Sequence, residues 1–199
     1  MKRLFIAVPV VPEASLVSLT EQLKTIFRHE KINWVPLQNM HFTLQFLGET
    51  PGKQIPEMIR KTGEAAKNLT AAQGTLKGLG YFMQNRMPSV IYTTLDNMPE
   101  MTAMASAIRS AMKSEGFTPE FREFKPHLTL GRIKFLKDCK LFTETMNNLR
   151  NNTIQKITAS EIIVFESLLR PDGPVYRKLA VFPLRNPGQM GKTSFEKME

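Results

Sequence analysis

One cysteine, Cys139, stands among 199 residues. That scarcity excludes an intramolecular disulfide and any metal or iron–sulfur centre built from several thiolates. A lone thiol suits a reducing compartment, so a cytoplasmic location is expected. No apolar run approaches the roughly 18–20 residues of a membrane-spanning helix, and no membrane association is expected. Lys2 and Arg3 ahead of the run Leu4–Val11 mimic the start of a secretion signal. Pro9 interrupts that run, however, and Glu13 follows without a small-residue cleavage pattern. Tryptophan occurs once, as Trp34, and histidine three times, as His29, His41 and His127. Acidic residues are also in short supply: 18 Asp and Glu against 27 Lys and Arg leave a net charge of +9. Such a surplus attracts polyanions such as RNA, phosphorylated ligands or anionic lipid. It is densest over residues 122–140, where Arg122, Lys125, Arg132, Lys134, Lys137 and Lys140 face only Glu123 and Asp138. His127 lies inside that stretch.

What is present is ordinary globular material, 42% hydrophobic and 23% charged. Residues 1–185 are long enough for one domain with a sizeable core; 186–199 lack periodicity and read as a disordered tail. Leu4–Val8 predicts a buried strand. Pro12 and Glu13 open a helix with the apolar stripe Leu16, Leu19, Leu23, Ile26 and Phe27, ending near His29. Ile32–Val35 and Met40–Leu47 read as strands, and Thr50-Pro51 starts a helix to about Asn68. Gly74–Phe82 and Val90–Leu95 form two strands around a polar turn at Gln84–Pro88. A helix from Pro99 to Glu115 buries Met101, Met104, Ala105, Ile108 and Met112, with Gly116 as its stop. His127–Ile133 is a strand and Lys137–Leu149 a weaker helix. Glu161–Leu168 and Val175–Phe182 are closing strands joined by the turn Arg170–Pro174.

The chain repeats itself. His41-Phe-Thr-Leu44 matches His127-Leu-Thr-Leu130, and the preceding strand and helix recur in the same order. Two copies are too few for a solenoid. They predict an α+β fold of two pseudo-symmetric lobes, mainly antiparallel sheet with helices outside, around a central cleft carrying the two His-x-Thr-x motifs. Side chains two apart on a strand share a face. His41 and Thr43 therefore point one way, with Phe42, Leu44 and Phe46 turned into the core. His127 and Thr129 repeat the arrangement against Leu128 and Leu130.

Two facing histidines suit acid–base chemistry. A neutral imidazole takes a proton from water or a hydroxyl, and an imidazolium gives one to a leaving oxygen. Threonine hydroxyls can donate to phosphoryl oxygens, and nearby Lys and Arg can hold the charge that grows in a pentacoordinate state. Catalytic zinc needs three protein ligands. No His-Glu-x-x-His spacing occurs, and no acidic residue stands at +2 or +4 of either histidine. No catalytic metal is expected.

These motifs resemble those of the 2H phosphoesterase superfamily, and within it the LigT-type RNA 2′,3′-cyclic phosphodiesterases. The similar stretches are Arg3-Leu-Phe-Ile-Ala7, Trp34-Val-Pro, Met40-His-Phe-Thr-Leu-Gln-Phe-Leu-Gly48, Phe124-Lys-Pro-His-Leu-Thr-Leu-Gly-Arg132 and Gly173-Pro-Val-Tyr176. They occur in the family's order, and the resemblance covers roughly residues 2–184. The resemblance implies a metal-independent hydrolase converting a ribose 2′,3′-cyclic phosphate, on RNA ends or nucleotides, to a 2′-phosphate. It further implies reversible 2′–5′ RNA ligation by the same chemistry. In that scheme His127 is the proton acceptor that activates water, His41 is the proton donor to the departing 3′ oxygen, and Thr43 and Thr129 bind the phosphate. No organic cofactor and no obligate protein partner is implied.

Arg132 also occupies a family position. Strict alternation places it opposite His127, where its stem would pack at the strand end, unless a bulge at Gly131 re-aims it. Trp34 and Tyr176 offer stacking surfaces for a base or ribose, although packing in the core or hinge is the commoner use of such residues. Two other readings remain open at this point: an RNA-binding module without turnover, and a phosphodiesterase acting on a small ADP-ribose-type cyclic phosphate.

Overall fold

Leu4, Phe5, Ile6, Ala7 and Val8 are all buried, which only a strand covered on both faces permits. This strand, β1 (Lys2–Pro9), runs inside a four-stranded sheet. The computed structural model describes residues 1–117, 124–170 and 173–186. In chain order after β1 come α1 (Ala14–Ile26), β2 (Lys31–Trp34), β3 (His41–Thr50), α2 (Ile55–Ala66), β4 (Ala72–Gln84), β5 (Met87–Asp96) and α3 (Pro99–Ser114). Then follow β6 (His127–Phe135), α4 (Cys139–Asn148), β7 (Thr153–Ala159), β8 (Glu161–Arg170) and β9 (Gly173–Pro183). The first sheet has the order β3-β1-β8-β9 and the second β2-β6-β5-β4-β7. Neighbouring strands in both are antiparallel. The α+β, two-sheet expectation holds.

The repeat is visible in the pairing of β3 with β1 and of β6 with β5, but the two halves of the chain do not each build a lobe. After its motif strand, each half sends its next long strand into the other sheet: β4 joins β5, and β8 joins β1. The helices are exchanged as well. From the second half, α3 packs on β3, where Arg109 Nε donates to the Leu44 carbonyl at 3.1 Å. From the first half, α1 packs on β7. There the Glu13 N–H donates to Gln155 Oε1 at 2.9 Å, and Gln155 Nε2 donates to the Val11 carbonyl at 3.0 Å.

Two local expectations need correction. The sequence reading assigned no strand to 153–159. Its inward positions are Gln155, Ile157 and Ala159, and Gln155 breaks the apolar alternation that marks a strand. The glutamine is tolerated inside because both ends of its amide bond to the segment entering α1. Phe46 was expected in the core and is instead 47% exposed. Its turn outward comes from a bulge in β3 that also shapes the site. The expected disordered tail, 186–199, lies outside the described residues except for Asn186.

Candidate active site

His41 opens β3 and His127 opens β6. The two motif strands approach each other where the sheets meet. Each imidazole is held in the same way. His41 Nδ1 lies 2.6 Å from the Asn39 carbonyl and His127 Nδ1 lies 2.7 Å from the Lys125 carbonyl. A carbonyl only accepts, so Nδ1 carries the hydrogen in both rings. The proton that a ligand can exchange is then the one at Nε2. Both rings and both threonines, Thr43 and Thr129, are partly exposed, while Phe42, Leu44, Leu128 and Leu130 between them are buried.

The surroundings of the two histidines differ. His41 packs against Phe5 at 4.9 Å, meets the Tyr176 ring edge-on at 5.4 Å and 85°, and lies 6.3 Å from Phe165. These aromatics form a small apolar cluster of their own with Ala7 and Ile163. His127 meets Phe82 edge-on at 4.8 Å and Tyr92 at 5.6 Å. Burial pushes the pKa of His41 down from 6.5 to about 4. The Asn39 carbonyl opposes that shift by holding the ring N–H, and the charges of Arg132 and His127 reinforce it.

Each motif strand bulges one residue after its threonine. Against β1, Thr43 faces Ala7 and Gln45 faces Ile6, which leaves Leu44 as the extra residue. Against β5, Thr129 faces Tyr92 and Gly131 faces Ile91, which leaves Leu130 extra. A bulge resets the alternation of faces, so Phe46 and Arg132 rejoin the side of the histidines. Arg132 accordingly acts on the site: its charge lowers the pKa of His41 and opposes the upward, burial-driven shift of Tyr176. The bulge at Gly131 is the arrangement on which the placement of Arg132 depended. Gly131 allows a close approach there, since an added Cβ would lie 2.9 Å from Ile32 Cγ2 and 3.0 Å from Trp34 Cε3 and would force them to shift. Trp34 thus packs on the core side, whereas Tyr176 stands beside His41. His29 is on the surface and accepts from its neighbour Arg28.

Sequence reasoning missed Phe5, Phe165, Phe82, Tyr92 and Asn39. The signal for the phenylalanines was parity, since Phe5 shares a face with Ala7, the residue opposite Thr43. Arg122 and Glu123 of the basic stretch lie outside the described residues. Among the described residues no group of three or more His, Cys, Asp and Glu side chains gathers to hold a metal ion. Nor is any helix there long and apolar enough to cross a membrane.

A family model described as LigT like Phosphoesterase matches residues 8–92 and 95–176. The chain belongs to the LigT-like phosphoesterase family. Its relatives include proteins named RNA 2′,3′-cyclic phosphodiesterase from Thermotoga maritima and Aquifex aeolicus. The first is 28% identical, covering 89% of this chain and 92% of the relative. The second is 30% identical, covering 76% and 81%. Among solved structures, a Thermus thermophilus protein superposes with a TM-score of 0.74 at 24% identity, over 93% of this chain and 99% of that one. Escherichia coli LigT complexed with 3′-AMP gives 0.69 at 20% identity, over 92% and 98%. These structural likenesses establish the LigT-like fold.

Proposed function

We propose that this LigT-like phosphoesterase hydrolyses the 2′,3′-cyclic phosphate of RNA ends or nucleotides to a 2′-phosphate, using His41 and His127 and no metal. The observation that carries this reading is the matched pair of imidazoles, each bonded through Nδ1–H to a carbonyl two residues upstream. The names of the relatives supply the substrate class.

The step balances without a cofactor. A water oxygen attacks phosphorus, and its proton passes to Nε2 of neutral His127. The bond from phosphorus to the 3′ oxygen breaks, and that oxygen takes the Nε2 proton of His41. The product carries a 2′-phosphate and a 3′-hydroxyl, and the histidines exchange protons with solvent to reset. Thr43 and Thr129 donate their hydroxyl hydrogens to the non-bridging oxygens, and Arg132 offsets the charge that builds on them. Near neutral pH His41, with its pKa lowered to about 4, is neutral in the absence of substrate. The anionic phosphate favours its protonated form, so substrate and proton bind together. An RNA-end substrate and the exposed free thiol of Cys139 fit a cytoplasmic enzyme.

The test is turnover of a 2′,3′-cyclic mononucleotide in EDTA with the product identified by phosphorus NMR. A 2′-phosphate is expected, and His41→Ala and His127→Ala are each expected to cut kcat by about 10²–10⁴. Loss of activity in EDTA that zinc or manganese restores, or wild-type turnover in either variant, overturns the reading. Binding of the nucleotide without product favours an RNA-binding module.

A further inference from the structure

We propose that Asn39 is a positioning residue for His41, its side chain fixing the carbonyl that fixes the ring. This rests on the reading of His41 as proton donor. The segment from β2 to β3 crosses from the second sheet to the first, through a single helical turn at Leu37–Asn39. At its end Asn39 makes two separate connections. Its carbonyl accepts from His41 Nδ1 at 2.6 Å, and its side-chain Nδ2 donates to the Pro174 carbonyl at 3.0 Å. Pro174 lies at the start of β9, two residues before Tyr176, whose ring meets His41 edge-on. One residue thus ties the crossing segment, the imidazole and the aromatic wall of the site together.

Asn39 also borders open space. A cavity of about 330 Å³ opens beside it, lined among others by Pro12, Gln38, Asn39, Phe165, Tyr176 and Lys178. The hydrogen bond to Pro174 links this segment to the start of β9. Without it the Asn39 carbonyl is less constrained, and His41 loses the partner that selects the Nδ1–H tautomer. That partner also favours the protonated ring, against burial.

The experiment compares the wild type with Asn39→Ala and with the isosteric Asn39→Asp, whose carboxylate cannot donate to the Pro174 carbonyl. Ring tautomers at pH 7 are read from ¹⁵N NMR of the full chain, with His127 as internal reference. Turnover of a 2′,3′-cyclic mononucleotide is measured across pH. In both variants His41 is expected to populate the Nε2–H tautomer while His127 keeps Nδ1–H. The value of kcat should fall about tenfold or more with KM within about threefold. The low-pH limb of kcat/KM in Asn39→Ala should move further down. A His41 tautomer unchanged in both variants overturns the proposal, whatever happens to kcat. A changed tautomer with wild-type kcat supports the clamp and counts instead against His41 as the proton donor.

Discussion

His41 and His127 share a motif, a strand position and a type of hydrogen bond, yet their neighbours give them different surroundings. The residue opposite Thr43 is Ala7, which leaves room for Phe5, Phe165 and Tyr176 to enclose His41. The residue opposite Thr129 is Tyr92. The enclosed ring is pushed down to about 4, below the 6.5 of an unfolded histidine. The folded protein therefore binds this proton less readily than the unfolded chain. Its contribution to stability is fully present above pH 6.5 and is lost as pH falls from there towards 4. At 1.36 kcal/mol per pH unit, the loss between pH 6.5 and 5 is up to about 2 kcal/mol, an upper figure because the ring still meets solvent. Urea unfolding at pH 7 and pH 5 should show His41→Gln losing less stability than the wild type by that amount. Equal losses would remove burial as the cause. The same shift sets the shape of kcat/KM. In the proposed step the active form carries one proton shared by the pair, so activity should rise through a low-pH limb near 4 and fall through a second limb at higher pH. Both limbs belong to the coupled pair.

At the scale of elements, alternation and helical period made much of the chain legible. The strand under Leu4–Val8 and the methionine-lined α3 follow their apolar patterns directly. The candidate histidines and threonines were legible because they recur. What alternation could not supply was its own interruption. Bulges after Thr43 and Thr129 turned Phe46 out of the core and brought Arg132 to the site, and only Gly131 hinted at either. The strand β7 was hidden by a buried glutamine whose partners lie more than 140 residues away. The aromatic walls depend on sheet order, which no local pattern encodes. Glycine effects are equally contextual, and two positions with the same φ separate the causes. Gly48 and Gly78 both have φ +67, but a Cβ at Gly48 meets nothing within 4 Å, whereas one at Gly78 would lie 1.9 Å from the Arg150 carbonyl oxygen. Gly48→Ala should cost about 1–2 kcal/mol, the strain of a left-handed alanine alone. Gly78→Ala should cost about 3 kcal/mol or more, since β4 must also part from Arg150. Urea midpoints measure both, and equal costs would show that crowding at Gly78 is relieved elsewhere.

At the scale of the whole molecule, strands and helices are exchanged between the two halves, and the halves are therefore expected to fold as one unit. The β4–β5 hairpin, turning through Asn85 and Arg86, joins the halves. A chain cut there leaves fragments 1–85 and 86–199. The first keeps only the pair β1–β3, because β2 and β4 are separated in the second sheet by β6 and β5. The second keeps β5–β6 and β8–β9 but lacks β4 between β5 and β7 and β1 beside β8. Two-stranded units are marginal at best in water, and each fragment also loses the helix that covers its motif strand or β7. Neither fragment alone should therefore unfold cooperatively in urea, as followed by circular dichroism. Mixed in equal amounts they should recover a cooperative transition together with turnover of a 2′,3′-cyclic nucleotide, since each supplies one histidine and the strands the other lacks. Cooperative unfolding of fragment 1–85 by itself would mean that one repeat is a domain, and the exchange would then be a feature of assembly and not a condition of folding.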